Sequence, residues 1–113
     1  MSLGDQIRDA RLEHKRGLRD LARELHLAPS YLSDIENDRR VPAESVLRAL
    51  ADTLDLDFNE LMSLGGRLGD EAERYARQVP QAARLFRRVA EEKLSEQDLE
   101  QLDLEIDRIT GTS

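Results

Sequence analysis

Four short polar side chains share one face of a predicted helix that begins at Pro29, and they are the best placed for hydrogen-bond chemistry. They are Ser30, Ser33, Asp34 and Asn37. The opposite face carries Leu32 and Ile35, which we expect to point into a core. Short polar groups on an exposed helix can approach base edges in a DNA major groove closely. The same pattern is also typical of a solvated helix face.

Long basic side chains precede and follow this helix, where they could reach phosphates beside a groove. They are Lys15, Arg16, Arg19, Arg39 and Arg40. We expect Tyr31 to be half-packed, with its hydroxyl near a phosphate. Asp34 has two interpretations, because a carboxylate can accept a hydrogen bond from cytosine N4 or can act as a solvated acid that discourages nonspecific binding.

Catalytic and metal-binding patterns are lacking in this sequence. The chain has no Cys, and its only histidines, His14 and His26, fall on different predicted elements. Arg67 follows Gly65-Gly66, whereas a phosphate-binding loop would place a Lys-Ser/Thr pair there. We therefore expect no enzymatic activity, no bound metal and no cofactor.

Apolar spacing and capping residues predict six to eight helices and no strand. Ser2 with Asp5 caps the first helix, and Gly17 ends that segment. The following helices are predicted at about 18–25, 29–36 and 43–54, a short one capped by Asp57, and then 70–78, 80–93 and one from Ser95.

A glycine-rich segment divides the 113 residues into two parts. We predict a domain over residues 1–64, a hinge over 65–69 and a helical region over 70–113.

The net charge of −7 opposes nucleic-acid binding overall, but many acids lie between Glu91 and Asp107, away from the basic groups. No apolar run approaches the length of a membrane span, and no signal peptide is evident, which favours a cytoplasmic protein.

The stretch from Gly4 to Met62, and above all the block PSYLSDIENDRR from Pro29 to Arg40, resembles the Cro/C1-type (XRE) helix-turn-helix domain. The resemblance implies an all-α, five-helix, lambda-repressor-like domain whose third helix enters the major groove. It also implies that Arg11 and Glu36 pair, tying the first helix to the third.

Four residues depart from the family pattern. Ala28 replaces a usual capping Ser or Thr, and Leu18 replaces a Gln that often contacts phosphate and base. His26 and Asp38 occupy positions often held by Gly, and both types can adopt positive φ at modest cost.

The C-terminal region carries a second apolar pattern. Its seam has a spacing of three, four and three residues and consists of Leu99, Leu102, Ile106 and Ile109. Helices of this length are marginal alone, so the seam must be covered, either by a second chain or by packing within the chain. We favour dimerisation, since dimers usually read operator half-sites.

These observations predict a transcriptional regulator, a dimeric repressor that binds an operator in double-stranded DNA. The alternative is an antitoxin or protein-interaction module whose C-terminal helices bind a partner protein. A toxin or a metallopeptidase is such a partner by fold-level analogy.

Overall fold

The computed structural model describes residues 1–112, which form eight helices and no strand. The helices are α1 (Leu3–Glu13), α2 (Leu18–Glu24), α3 (Pro29–Glu36), α4 (Glu44–Leu54), α5 (Phe58–Leu64), α6 (Asp70–Gln78), α7 (Pro80–Glu92) and α8 (Glu96–Thr110). The all-α class predicted from the sequence is confirmed. The chain divides into two compact units, Met1–Asp70 and the residues from Glu71 onward.

Side-chain caps explain where helices α1 and α5 begin. The Ser2 hydroxyl accepts from the Asp5 backbone N–H at 3.1 Å, and the Asp5 carboxylate accepts from the Ser2 N–H at 3.2 Å. Asp57 accepts from the Glu60 N–H at the start of α5. Each such cap stabilises its helix by about 1 kcal/mol. Ala28 gives α3 no side-chain cap, as predicted, but Pro29 follows it and has no N–H to satisfy.

Left-handed residues close the turns of the first unit, with φ between 55° and 59°. They are Lys15, His26, Asp38 and Asp55. The expectation that His26 and Asp38 adopt positive φ is confirmed. Gly17 lies between the first two helices, because α1 ends at Glu13 and Gly17 is the N-cap of α2 with φ −73°. The Arg16 N–H donates to the Arg11 carbonyl at 3.0 Å, which closes the turn around Lys15.

One apolar core fills the first unit. Its fully buried members include Ile7, Leu21, Leu32, Ile35, Leu47, Leu50, Leu54 and Leu61. Helices α1 and α3 approach closely at Gly4, where a Cβ atom would stand 2.4 Å from the Glu36 carbonyl oxygen. Backbone therefore meets backbone where α1 crosses the end of α3, and no other residue type fits there without moving one helix.

The glycine-rich segment after α5 is attached to the first unit. Arg67 donates from Nε to the Pro42 carbonyl and from Nη2 to the Val41 carbonyl, both at 3.1 Å. A Cβ atom on Gly69 would lie 3.5 Å from the Met62 Cε. The boundary between the two units falls after this segment, between Asp70 and Glu71.

The second unit has well-defined helices but no buried residue in α6, α7 or α8. Ser95 and Asp98 form a capping box at the start of α8, as predicted, and Gly111 ends that helix with φ 74°. Lys93, with φ 51°, turns the chain after α7. Within residues 1–112, no helix combines the length and the apolar character needed to cross a membrane.

Candidate nucleic-acid interface

Helix α3 is held by its apolar face. Leu32 and Ile35 are fully buried, and the helix packs against both α1 and α2. The turn from α2 into α3 is short, and it is closed by the Leu27 N–H, which donates to the Ala22 carbonyl at 2.8 Å. A helix fixed in this way presents its other face in a constant orientation.

That other face carries the four polar residues singled out from the sequence. Ser30 and Asn37 are exposed, whereas Ser33 and Asp34 are half-buried. Asn37 folds back on its own helix, because its Nδ2 donates to the Ser33 carbonyl at 2.9 Å and approaches the Ser33 Oγ at 3.4 Å. The spacing of three, four and seven residues from Ser30 brings all four to one side of α3.

The basic residues before α3 differ in whether an acidic side chain already pairs with them. Lys15 and Arg19 are exposed. Arg16 forms an ion pair with Glu24, and its carbonyl accepts from Arg11 Nη1 at 3.0 Å. The Arg16 guanidinium must therefore leave or share Glu24 to contact a phosphate, while the other two side chains can do so directly.

The basic residues after α3 contact α3 itself. Arg39 Nη1 lies 3.8 Å from Asp34 Oδ1, and the Arg39 backbone N–H donates to the Asp34 carbonyl at 2.8 Å. The Arg40 guanidinium lies over the Tyr31 ring, 5.4 Å from its centroid. Tyr31 is half-buried and packs against the core. Both arginines are exposed, so each keeps donors available for a phosphate.

Arg11 and Glu36 form a bidentate ion pair between α1 and α3. Arg11 Nε donates to Glu36 Oε2 at 2.8 Å, and Nη2 donates to Oε1 at 2.9 Å. The two side chains are 11% and 4% exposed, so the pair is nearly buried. Its hydrogen bonds to Glu36 raise the pKa of Arg11 above its ordinary value, against the opposing effect of burial. The pair thus fixes the end of α3 that leads to Arg39.

Asp38 has a structural role that its sequence position did not reveal. Its carboxylate accepts from the Gly4 N–H at 2.9 Å and from the Ser2 hydroxyl at 2.6 Å. The loop after α3 therefore caps α1, beside the backbone contact at Gly4. The sequence marked Asp38 as a turn residue only, because nothing local indicates which helix end lies near it.

The predicted seam of α8 is exposed. Leu99, Leu102, Ile106 and Ile109 retain 40% to 69% of their accessible surface. Leu102 shares an open groove with side chains of α7 and of the turn that follows it. The groove is lined by Leu85, Arg88, Val89, Glu92, Leu94 and Leu102. An apolar floor with one cation and one anion at its rim is suited to an amphipathic helix.

Comparison with known proteins agrees with the architecture of the first unit. Residues 2–64 match the family described as "Helix-turn-helix domain". The transcriptional regulator ClgR of Mycobacterium tuberculosis is 32% identical over 78 residues, which cover 69% of this chain and 70% of that protein. The immunity repressor protein of Bacillus phage phi105 is 33% identical over 75 residues, or 66% of this chain and 52% of the repressor.

Two further proteins are similar to this chain. The ImmF control region 10 kDa protein of Bacillus phage phi105 is 39% identical over 59 residues, which cover 52% of this chain and 66% of that protein. A chain in the structure of the SinR protein/SinI protein complex is 25% identical, with a TM-score of 0.49 and coverage of 96% of this chain and 98% of that one. The family match spans more than half of the 113 residues. The chain therefore belongs to the XRE-type helix-turn-helix family and is a DNA-binding transcriptional regulator.

Proposed function

We propose that this regulator is a repressor that binds its operator as a homodimer, with α3 of each subunit in a major groove. The observation that carries the proposal is the division of α3 into a fully buried apolar face and an exposed face of short polar side chains. Ser30, Ser33, Asp34 and Asn37 make the base contacts. Their short side chains let the helix backbone approach the base edges closely.

The phosphate contacts come from the side chains that surround α3. We assign this role to Lys15, Arg16, Arg19, Tyr31, Arg39 and Arg40. Lys15 and Arg19 carry exposed charges before the helix, and Arg39 and Arg40 carry them after it. Contacts on both sides of one helix fix its register on the duplex, whereas the base contacts select the sequence.

The seam on α8 and the facing side chains of α7 form the dimer interface in this proposal. Leu85 and Phe86 on α7 are more than half exposed, as is Ile106 on α8. Helices of this length have little stability without a covered apolar face. A second copy would supply a matching α7 and α8. Because α7 carries several arginines and α8 carries six acids, α7 of one subunit can attract α8 of the other across the twofold axis.

A second candidate is a partner protein that covers the same surface. The observation in its favour is the acidic character of α8, which has six acids and one arginine between Glu96 and Thr110. A basic partner with an apolar helix, such as a toxin or a metallopeptidase that works beside the regulator, would suit this surface. Its binding would leave the DNA interface of the first unit unchanged.

One experiment tests the DNA interface and the dimer together. The full chain selects duplexes from a randomised library, and sedimentation of the selected complex gives the number of subunits. We expect two inverted half-sites and two subunits for each duplex. Ile106→Asp, in the seam, should abolish dimerisation, while Leu104→Asp, exposed on the other side of α8, should not. A single half-site bound by one subunit would contradict the homodimer.

A further inference from the structure

The exposed face of α3 offers mainly hydrogen-bond acceptors. The amide of Asn37 already directs its Nδ2 donor to the Ser33 carbonyl at 2.9 Å, with Ser33 Oγ nearby at 3.4 Å. Ser33 thus supplies one acceptor for each of the two Nδ2 hydrogens, so what this amide offers a ligand is its Oδ1, which is an acceptor. An Asn that kept both ends available could pair with adenine N6 and N7 together, but an Asn fixed in this way makes only the contact to N6.

Asp34 strengthens the same bias. An ionised carboxylate accepts hydrogen bonds and donates none. The helix from Pro29 to Glu36 contains no Lys, Arg, His, Asn or Gln. It therefore lacks the side chains that usually recognise the O6 and N7 acceptors of guanine. The two serine hydroxyls can donate or accept, so they do not reverse the bias.

Base edges in the major groove divide by the same property. Cytosine N4 and adenine N6 are donors, whereas guanine O6, guanine N7 and thymine O4 are acceptors. An acceptor on the protein that faces an acceptor on the base leaves both unpaired, which is unfavourable once water is excluded.

We infer that the operator bases facing Asp34 and Asn37 present exocyclic amino groups, cytosine N4 or adenine N6, and not the acceptor edge of guanine. This inference rests on the proposed placement of α3 in the major groove. Arg39 lies after the end of the helix, 3.8 Å from Asp34. Its positive charge partly offsets that of the carboxylate, which favours an acid at the groove.

The test uses the full chain and the duplex that it selects from the randomised library. In that duplex, single adenines are replaced by 2-aminopurine and single cytosines by 2-pyrimidinone, both of which lack the amino group in the major groove. We expect affinity to fall about fivefold or more at one or two positions in each half-site, and much less at flanking positions. Asp34→Ala and Asn37→Ala should each remove the sensitivity at one position. Asp52→Ala, an exposed acid on α4, should retain it.

Two results would overturn the inference while leaving the proposed DNA interface intact. One is a defined selected duplex in which no adenine or cytosine analogue changes affinity beyond the flanking level. The other is guanine at the positions that respond to Asp34→Ala or Asn37→Ala. Asp34→Asn adds a donor, so acceptance of guanine by this variant, but not by the parent chain, would support the inference. If the parent chain selects no duplex at all, the proposed function itself fails, and the inference fails with it.

Discussion

The two units differ in what covers their apolar side chains. In the first, side chains from all five helices meet in a closed core, and an ion pair, a backbone contact at Gly4 and the Asp38 cap hold α1 to α3. In the second, α8 begins with a capping box as complete as that of α1, yet no residue of α6, α7 or α8 is buried. Capping and periodicity therefore define helices in both units, but only burial makes a unit stable by itself.

The largest expected effect comes from separating the units. A chain ending at Asp70 should unfold cooperatively, because the first unit keeps its complete core and the Arg67 contacts. It should be mainly monomeric and should bind the operator about a hundredfold more weakly or worse, since the second half-site is no longer tethered. Sedimentation and fluorescence anisotropy of the full and shortened chains measure both quantities.

Two outcomes of that experiment would contradict the comparison. If the full chain stays monomeric at tens of micromolar, the second unit does not form a dimer interface. If the shortened chain still dimerises, the interface lies in the first unit. Exposed Val41, Leu64 and Leu68 would then be the surface to examine.

The next largest effect concerns the buried ion pair of the first unit. Glu36→Ala leaves the Arg11 guanidinium without its partner at an 11% exposed site and should lower the free energy of unfolding by about 3 kcal/mol. Glu24→Ala removes a surface pair with Arg16 and should cost about 1 kcal/mol or less. Chemical denaturation of both variants provides the measurement. Equal losses would mean that the buried pair is no stronger than the surface pair.

The sequence was sufficient for most of the helices and for the polar face of α3. Helix starts at Leu3, Pro29 and Glu96 follow from local signals, namely Ser2 with Asp5, the N1 proline, and Ser95 with Asp98. The seam of α8 was also visible as a spacing. What covers that seam was not visible, because a spacing shows that an apolar face exists and says nothing about its partner.

Features that depend on distant contacts were inaccessible to local patterns. Arg11 and Glu36 are 25 residues apart, and only the family resemblance paired them. The left-handed turn at Lys15 was not indicated either, because it is accompanied by the hydrogen bond from Arg11 to the Arg16 carbonyl. The Asp38 cap depends on the close approach at Gly4, which no local signal indicates.

A smaller effect is expected from removing single basic side chains, and it should differ between the two units. Lys15→Ala or Arg19→Ala should weaken binding to all duplexes alike. Each should also reduce the salt slope, which is the slope of the logarithm of the binding constant against the logarithm of the salt concentration, by about one for each phosphate that a subunit no longer neutralises. Arg87→Ala, an exposed cation of α7, should leave the slope unchanged because the second unit has no proposed DNA contact. Titrations at several salt concentrations measure the slopes. Equal changes for Arg19→Ala and Arg87→Ala would extend the interface to the second unit.

The smallest expected effect compares an acid from each unit at low pH. The Ser2 backbone N–H and hydroxyl are the main causes that lower the pKa of Asp5 below its usual value of 3.8, and the Arg108 guanidinium lowers the pKa of Glu105. A carboxylate with a depressed pKa stabilises the folded state above its unfolded pKa, and this stabilisation is lost as the pH falls through the folded pKa. Both acids therefore favour the folded state near neutral pH.

Their consequences for the core should nevertheless differ. Asp5 caps α1, which is part of the closed core, whereas Glu105 and Arg108 lie within one exposed helix. Asp5→Asn should therefore reduce the decline of the Tm of the first unit between about pH 5 and about pH 2, because the amide caps without titrating. Glu105→Gln should leave that decline unchanged. Thermal melts of the full chain across this range decide the matter, and a matching change in the Glu105→Gln protein would show that the two units unfold as one.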